Sequence, residues 1–423
     1  MIFLEGGSRC SGFFSCFKRW IETPQRMSTT WAGPLGQTLP LSQTATLDLR
    51  GVFLDSAAHG LTPNPYRENY HQVWINYCSS DSWTGDGTTI LPQTVAGAGN
   101  GVEQVIDSWG QQLRASSDPR ISAYGALALA AKPSFIGQFC SGGQCTMHFR
   151  GSRIVQTVLE DLRNNRGMTK PETILLAGSS AGSIGTRQNL DRLASAVRRH
   201  WPRTRVLGAS DSGLFEAPLS EVNARQPLPR LSSNCGPAIT PPVFPAPALA
   251  PTLIATGSEF WGGVRVDDSC LQTQLGGPRP SPMTAAAYQA ADACFRDDIL
   301  NASIQTPHFI FEGYRDRIYL PDGVLNNINC DAPAGIQSAV TRASHNELLS
   351  SGRSAFGVDS SLHTSMQGEF FFNLQRTDLS VSRQPLSHAS ILWHWLGTHG
   401  RYHHTILECP PGCAVQCGRQ ACP

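Results

Sequence analysis

Ile174-Leu175-Leu176-Ala177-Gly178-Ser179-Ser180-Ala181-Gly182 reads as a short apolar strand, a tight turn of small residues and the start of a helix. Pro171 stands before the run. After it, Ile184, Leu190, Leu193, Ala194 and Val197 gather on one side of a helix predicted over 183–200. The turn fits Gly-x-Ser-x-Gly centred on Ser180, in the strand-turn-helix setting that presents a nucleophilic hydroxyl. Small residues are needed because side chains at Gly178 and Gly182 would collide with neighbouring backbone. The N–H groups at the start of the helix are then free to stabilise a developing oxyanion. The plain alternative is a Ser/Gly-rich turn that caps a helix.

Working outward, four more segments read as strands. They are residues 1–4 (Met-Ile-Phe-Leu), Val73-Trp74-Ile75-Asn76-Tyr77, Val206-Leu207-Gly208-Ala209 and His308-Phe309-Ile310-Phe311-Glu312. Ile154, Val155, Val158, Leu159 and Leu162 give residues 151–165 a helical period, and 385–399 read as a C-terminal helix. Residues 9–50 are Ser/Thr/Pro-rich and predict mostly loop. Residues 86–147 hold a Gly-rich stretch, a helix around 119–131 and the pair Cys140/Cys145, and read as an insertion. Short strands alternating with helices predict an α/β fold with a mostly parallel sheet. No repeat or clean linker divides the chain. One domain over 1–408 and a Cys-rich tail over 409–423 are expected.

Composition narrows the function. With 33 Lys+Arg against 32 Asp+Glu, the formal net charge is +1. No strong field gathers nucleic acid or a membrane surface. A charged fraction of 15% argues against disorder and against a coiled coil. The expected ligand is a small or neutral group in a pocket. No run of apolar residues is long enough to span a bilayer. The 13 cysteines point to disulfides in an oxidising compartment, and the evenly spaced cysteines of the tail read as a staple rather than a zinc site. The start, Met-Ile-Phe-Leu-Glu-Gly-Gly, lacks the long apolar run of a secretory signal. The two signals are reconciled if the chain is N-terminally truncated.

A serine nucleophile of this kind needs a base and an acid in the order Ser, Asp/Glu, His. Asp316 and Asp211 each follow a strand and compete for the acid. His363, His345, His388 and His394 compete for the base. The residues alone do not choose among them. A second oxyanion donor belongs in the loop after an earlier strand, and the turn at Gly6-Gly7 offers the amides of Gly7 and Ser8.

Four ordered motifs resemble the pectin acetylesterase/Notum family of α/β-hydrolase-like serine carboxylesterases. They are Glu5-Gly6-Gly7, Tyr77-Cys78-Ser79-Ser80-Asp81-Ser82-Trp83-Thr84-Gly85, Gly178–Gly182 and Asp211-Ser212-Gly213. Phe149-Arg150-Gly151, Trp261-x-Gly263 and the stretch around Asp316 extend the likeness over most of the chain. The resemblance implies Ser180 as nucleophile, Asp316 as acid and His363 as base. It implies an oxyanion hole of the backbone N–H groups of Gly7, Ser8 and Ala181, with no cofactor and no metal. Ser8 replaces the family's aromatic or Gly, Ser183 its Gly, and Ser360 its Cys. The family also carries strands and a signal peptide before this point. The expectation is therefore a secreted, monomeric esterase that removes O-acetyl groups from a polysaccharide such as pectin. The alternatives are a palmitoleoyl-protein carboxylesterase acting on an acylated protein, or an inactive binding protein on the same scaffold.

Overall fold

The structure, a computed structural model, describes residues 1–27, 53, 64–95, 101–212, 259–313, 354–358, 366, 375–377, 385–398 and 405–407. Its strands in chain order are β1 Ile2–Leu4, β2 Val73–Ile75, β3 Gly87–Pro92, β4 Cys140–Ser141, β5 Gln144–Phe149 and β6 Thr173–Ser179. They continue with β7 Arg205–Asp211, β8 His308–Gly313, β9 Ser354–Val358, β10 Gln375–Thr377, β11 Pro385–Ser387 and β12 Thr405–Leu407. Among the described residues, seven strands form one sheet in the order β12-β9-β8-β7-β6-β1-β2. Every pairing in it is parallel. The expected α/β architecture with flanking helices is the one observed.

The continuous apolar runs of the strands follow from burial on both faces. Ile2 and Leu4 of β1, with Ile174 and Leu176 of β6, point into one core. Phe3, Leu175, Ala177, Leu207 and Ala209 point into the other. The first core is covered by helix Ala181–His200 through Ile184, Leu190, Leu193 and Val197, and by helix Gly151–Asn164 through Val155 and Leu159. The second is covered by helix His388–Gly397 through Ile391, Leu392 and Trp395. Such side chains each contribute about 1.5–3 kcal/mol when fully buried.

Sequence composition predicts loop over 9–50, but Phe13–Glu22 is a helix. Phe13, Phe17, Trp20 and Ile21 form its buried stripe, spaced i, i+4, i+7 and i+8. Phe17 and Trp20 meet Phe135 with ring centroids 5.0 and 5.3 Å apart. That contact docks the helix on Pro119–Phe139, which runs past the end of the predicted 119–131. Residues 86–147 otherwise hold helix Val102–Arg114 and the antiparallel sheet β3-β5-β4. Asp268–Leu275, Ala285–Ala293 and Asp297–Ser303 are helices that periodicity did not single out.

Candidate functional site

The chain leaves β1 to build β2 on one side, then returns to build β6 on the other side of β1. The sheet therefore reverses its winding between β1 and β6, and open α/β sheets bind ligands outside the strand ends at that point. Leu4, the last residue of β1, lies beside Gly178, near the end of β6. The turns that follow these two strands are Gly6-Gly7-Ser8 and Ser179-Ser180-Ala181. The fold thus brings two of the sequence motifs to one place.

Ser180 joins β6 to helix Ala181–His200 with φ 57° and ψ −120°. A non-glycine residue rarely adopts this conformation, and it persists only where its surroundings over-determine it. Here the Ser180 N–H donates to the carbonyl of Asp211 at 2.8 Å, and the Ser180 carbonyl accepts from Ile184 at 3.2 Å. Glycine is required on both sides. A Cβ on Gly178 would strike the Gly182 carbonyl, and one on Gly182 would strike the carbonyl of Leu4. Ser179 is fully buried, whereas Ser180 keeps 7% of its surface open.

The opposing turn is equally constrained. Gly7 has φ 139° and Ser8 has φ 62°. A Cβ on Gly6 would meet the Ser179 carbonyl and lie 2.9 Å from the Ser180 Cβ, so glycine is what lets the two turns touch. Two arginines hold the turn from outside. Arg26 Nη1 donates to the Gly6 carbonyl and Arg19 Nη2 to the Gly7 carbonyl. Arg26 also pairs with Glu5 at 3.4 Å. The Glu5 carboxylate accepts the Tyr77 N–H at 2.8 Å. Burial raises the Glu5 pKa, and Arg26, the Tyr77 amide and Arg19 pull against that rise.

Tyr77–Gly85 packs around one buried carboxylate. Asp81 accepts the Ser79 hydroxyl at 2.6 Å, the Trp83 N–H at 3.0 Å and the Gly151 N–H at 2.7 Å. Burial raises its pKa, and these three donors oppose the rise. Trp83 Nε1 donates to the Glu5 carbonyl at 3.0 Å, and the Trp83 carbonyl accepts from Asn189 at 3.0 Å. The loop therefore ties the turn after β1 to the helix after Ser180. Phe149-Arg150-Gly151 joins the same cluster through Gly151, while Trp261 Nε1 donates to the Cys10 carbonyl at 2.8 Å.

Ser180, Gly7, Ser8 and Ala181 are described and converge at the switch point, whereas Asp316, His363 and His345 lie outside the described residues. Among the rivals, His394 is exposed on helix His388–Gly397, whose first residue is His388. Asp211 ends β7, next to β6, and is 1% exposed. Its carboxylate accepts the Ser179 hydroxyl at 3.1 Å and the Met366 N–H at 2.6 Å. Asp211 is thus a brace between β6 and residue 366. Sequence reading missed Arg19 and Arg26. The amphipathic stripe of Phe13–Glu22 was the available signal for the helix that carries Arg19.

Disulfides join Cys10 to Cys16, Cys140 to Cys145 and Cys270 to Cys294. Cys78 is unpaired among the described residues, and the tail cysteines from Cys409 onward lie outside them. Among the described residues, no helix is long and apolar enough to cross a membrane, and no group of three or more His, Cys, Asp or Glu could hold a metal.

The sequence profile of the Pectinacetylesterase family matches residues 131–227. The palmitoleoyl-protein carboxylesterase NOTUM of Homo sapiens is 27% identical over 272 residues, which is 64% of this chain and 38% of that protein. Notum1a of Danio rerio, of the same description, is 27% identical over 65% of this chain and 38% of its own length. Notum2 of Xenopus laevis is 27% identical over 75% of this chain and 45% of its own length. The chain therefore spans less than half the length of these curated relatives. The profile match, these identities and the α/β fold make the chain a distant relative of the carboxylesterases, related both to pectin acetylesterase and to the Notum-type esterases.

Proposed function

We propose that the chain is a serine carboxylesterase with Ser180 as nucleophile, Asp316 as acid and His363 as base. The observation that carries this reading is the strained Ser180 at the switch point, in contact with the Gly6-Gly7-Ser8 turn. Ser180 Oγ attacks the ester carbonyl carbon while its proton passes to the imidazole of His363. Asp316 orients that imidazole. The carbonyl oxygen becomes an oxyanion held by the N–H groups of Gly7, Ser8 and Ala181. Collapse expels the alcohol, which takes the proton from the imidazolium. Water then frees the acyl group by the same steps in reverse. The chemistry draws on no cofactor.

Two described residues close in sequence to the proposed acid and base support the assignment. β8 ends at Gly313, three residues before Asp316, and lies beside β7. Met366, three residues after His363, is bonded to Asp211 next to the nucleophile strand.

For the substrate, an acyl-protein ester is favoured over an acetylated polysaccharide. The carboxylesterases of three vertebrates named above act on palmitoleoyl-protein by their descriptions, and each aligns with over 60% of this chain. The Pectinacetylesterase match spans only residues 131–227 and keeps the deacetylase as the second reading. The three disulfides among the described residues support a secreted protein.

A series of p-nitrophenyl esters from acetate to palmitate separates the two. Turnover that rises with chain length and vanishes in Ser180→Ala supports the acyl-protein reading. Turnover that falls steeply with length supports the deacetylase. A folded protein with no turnover on any ester would contradict the enzyme.

A further inference from the structure

We infer that Arg19 and Arg26 are positioning residues that aim two of the oxyanion-hole amides, Arg26 that of Gly7 and Arg19 that of Ser8. The inference rests on the esterase reading above and adds a role that the triad does not contain.

A trans peptide is planar, so its N–H points opposite to its C=O. The Gly6 carbonyl and the Gly7 N–H belong to one such plane, and the Gly7 carbonyl and the Ser8 N–H to the next. Arg26 holds the first carbonyl and Arg19 the second. Fixing each carbonyl on the outer side fixes its amide toward the opposite side. Nothing regular would otherwise do this. Gly7 at φ 139° and Ser8 at φ 62° sit outside strand and helix geometry and are held by no ladder. Glycine at two of the three positions makes the turn soft when left alone.

The arginines are themselves fixed. Arg19 Nε donates to the Ser80 hydroxyl, and its guanidinium lies 5.8 Å from the centre of the Tyr77 ring. Ser80 in turn donates to the Arg26 carbonyl, and Arg26 pairs with Glu5. The Cys10–Cys16 disulfide and the Cys10 N–H bond to the Ser80 carbonyl at 2.9 Å tie the helix carrying Arg19 to the turn. The bonds are charge-assisted, which makes them about twice as strong as neutral ones. They also polarise the peptide groups, so each amide becomes a better donor.

The test is kinetic. Arg19→Gln, Arg26→Gln and the matching Lys variants are assayed on p-nitrophenyl esters, beside Lys18→Gln on the same helix and Ser180→Ala. Burst titration counts active sites, and affinity for an arylboronic acid reports on the tetrahedral adduct. Removing one oxyanion donor costs about 100- to 1,000-fold in kcat, so a misaimed one is expected to cost about 10- to 100-fold. The expected result is that loss in kcat per active site, with KM within about twofold, and boronate affinity falling by the same factor. Each Lys variant is expected to recover part of the loss, and Lys18→Gln to match the wild type. Arginine variants that turn over normally per active site, while Ser180→Ala is dead, would overturn the clamp and leave the esterase standing. A loss confined to KM, or one explained by fewer folded sites, would also overturn it. Wild-type turnover that survives Ser180→Ala, or none at all, would remove the esterase reading and the clamp with it.

Discussion

The backbone N–H of Met366 donates to the Asp211 carboxylate at 2.6 Å. The same carboxylate accepts the Ser179 hydroxyl, one residue before the proposed nucleophile. A residue that sequence reading weighed as a catalytic acid is thus engaged in tying two distant parts of the chain together. Asp211→Ala leaves a buried N–H and a buried hydroxyl without this acceptor, each costing about 1–3 kcal/mol. The expected destabilisation is about 3 kcal/mol, read as a shift in the urea midpoint at constant slope. Asp211→Asn keeps one acceptor oxygen and is expected to cost about 1 kcal/mol.

Gly182 faces the carbonyls of Leu4 and Glu5 across the start of the helix after Ser180. The obstacle is backbone and has no rotamer in which to yield. Gly182→Ala is expected to cost about 3 kcal/mol, the upper end for inserting one methyl into a packed site. It also pushes the nucleophile turn away from the Gly6-Gly7 turn, and kcat is expected to fall roughly 100-fold. Thermal unfolding and steady-state kinetics on one ester measure the two effects.

Strands β1, β2, β6, β7 and β8 of the sheet were legible in the sequence because strands buried on both faces are apolar throughout, as in Ile174-Leu175-Leu176-Ala177, whereas β9 and β12 were not read. The turn at Ser180 was legible for a similar reason, since only small residues fit between β1 and β6. The helix Phe13–Glu22 was obscured by the Ser/Thr/Pro-rich composition of the residues after it, although its apolar stripe is regular. Arg19 and Arg26 were not legible at all. Their partners in the Gly6-Gly7 turn are backbone carbonyls, which leave no mark in the side-chain pattern. The brace from Asp211 to Met366 spans 155 positions and depends on strand order, which local patterns do not specify.

Asp267 caps the helix Asp268–Leu275, accepting the Cys270 N–H at 2.9 Å, and is 2% exposed. Burial raises its pKa from 3.8 to about 6. The folded state then binds more protons than the unfolded one between these values, so this group's contribution to stability falls as pH rises through that window. Asp267→Asn keeps the cap and removes the buried charge. Relative to wild type, it is expected to gain up to about 3 kcal/mol between pH 4 and pH 7.5. Urea unfolding of both proteins at the two pH values checks the difference, and a constant gap would contradict it.

The disulfide Cys270–Cys294 closes a separation of 24 residues and links helix Asp268–Leu275 to the end of Ala285–Ala293. Replacing both cysteines by serine is expected to destabilise the fold by about 3 kcal/mol. Chemical denaturation under non-reducing conditions measures it, with the parent protein as reference.

The esterase reading makes Ser180 an activated nucleophile. Its most direct test is covalent labelling with diisopropyl fluorophosphate, in which serine Oγ bonds to phosphorus and fluoride leaves with the hydroxyl proton as HF. Mass spectrometry of the digested protein locates the adduct. The expected result is one diisopropylphosphoryl group on the peptide containing Ser180, none on that peptide in Ser180→Ala, and loss of ester turnover in step with labelling. A folded protein that stays unlabelled at Ser180, or that keeps its turnover once Ser180 is labelled, would contradict it.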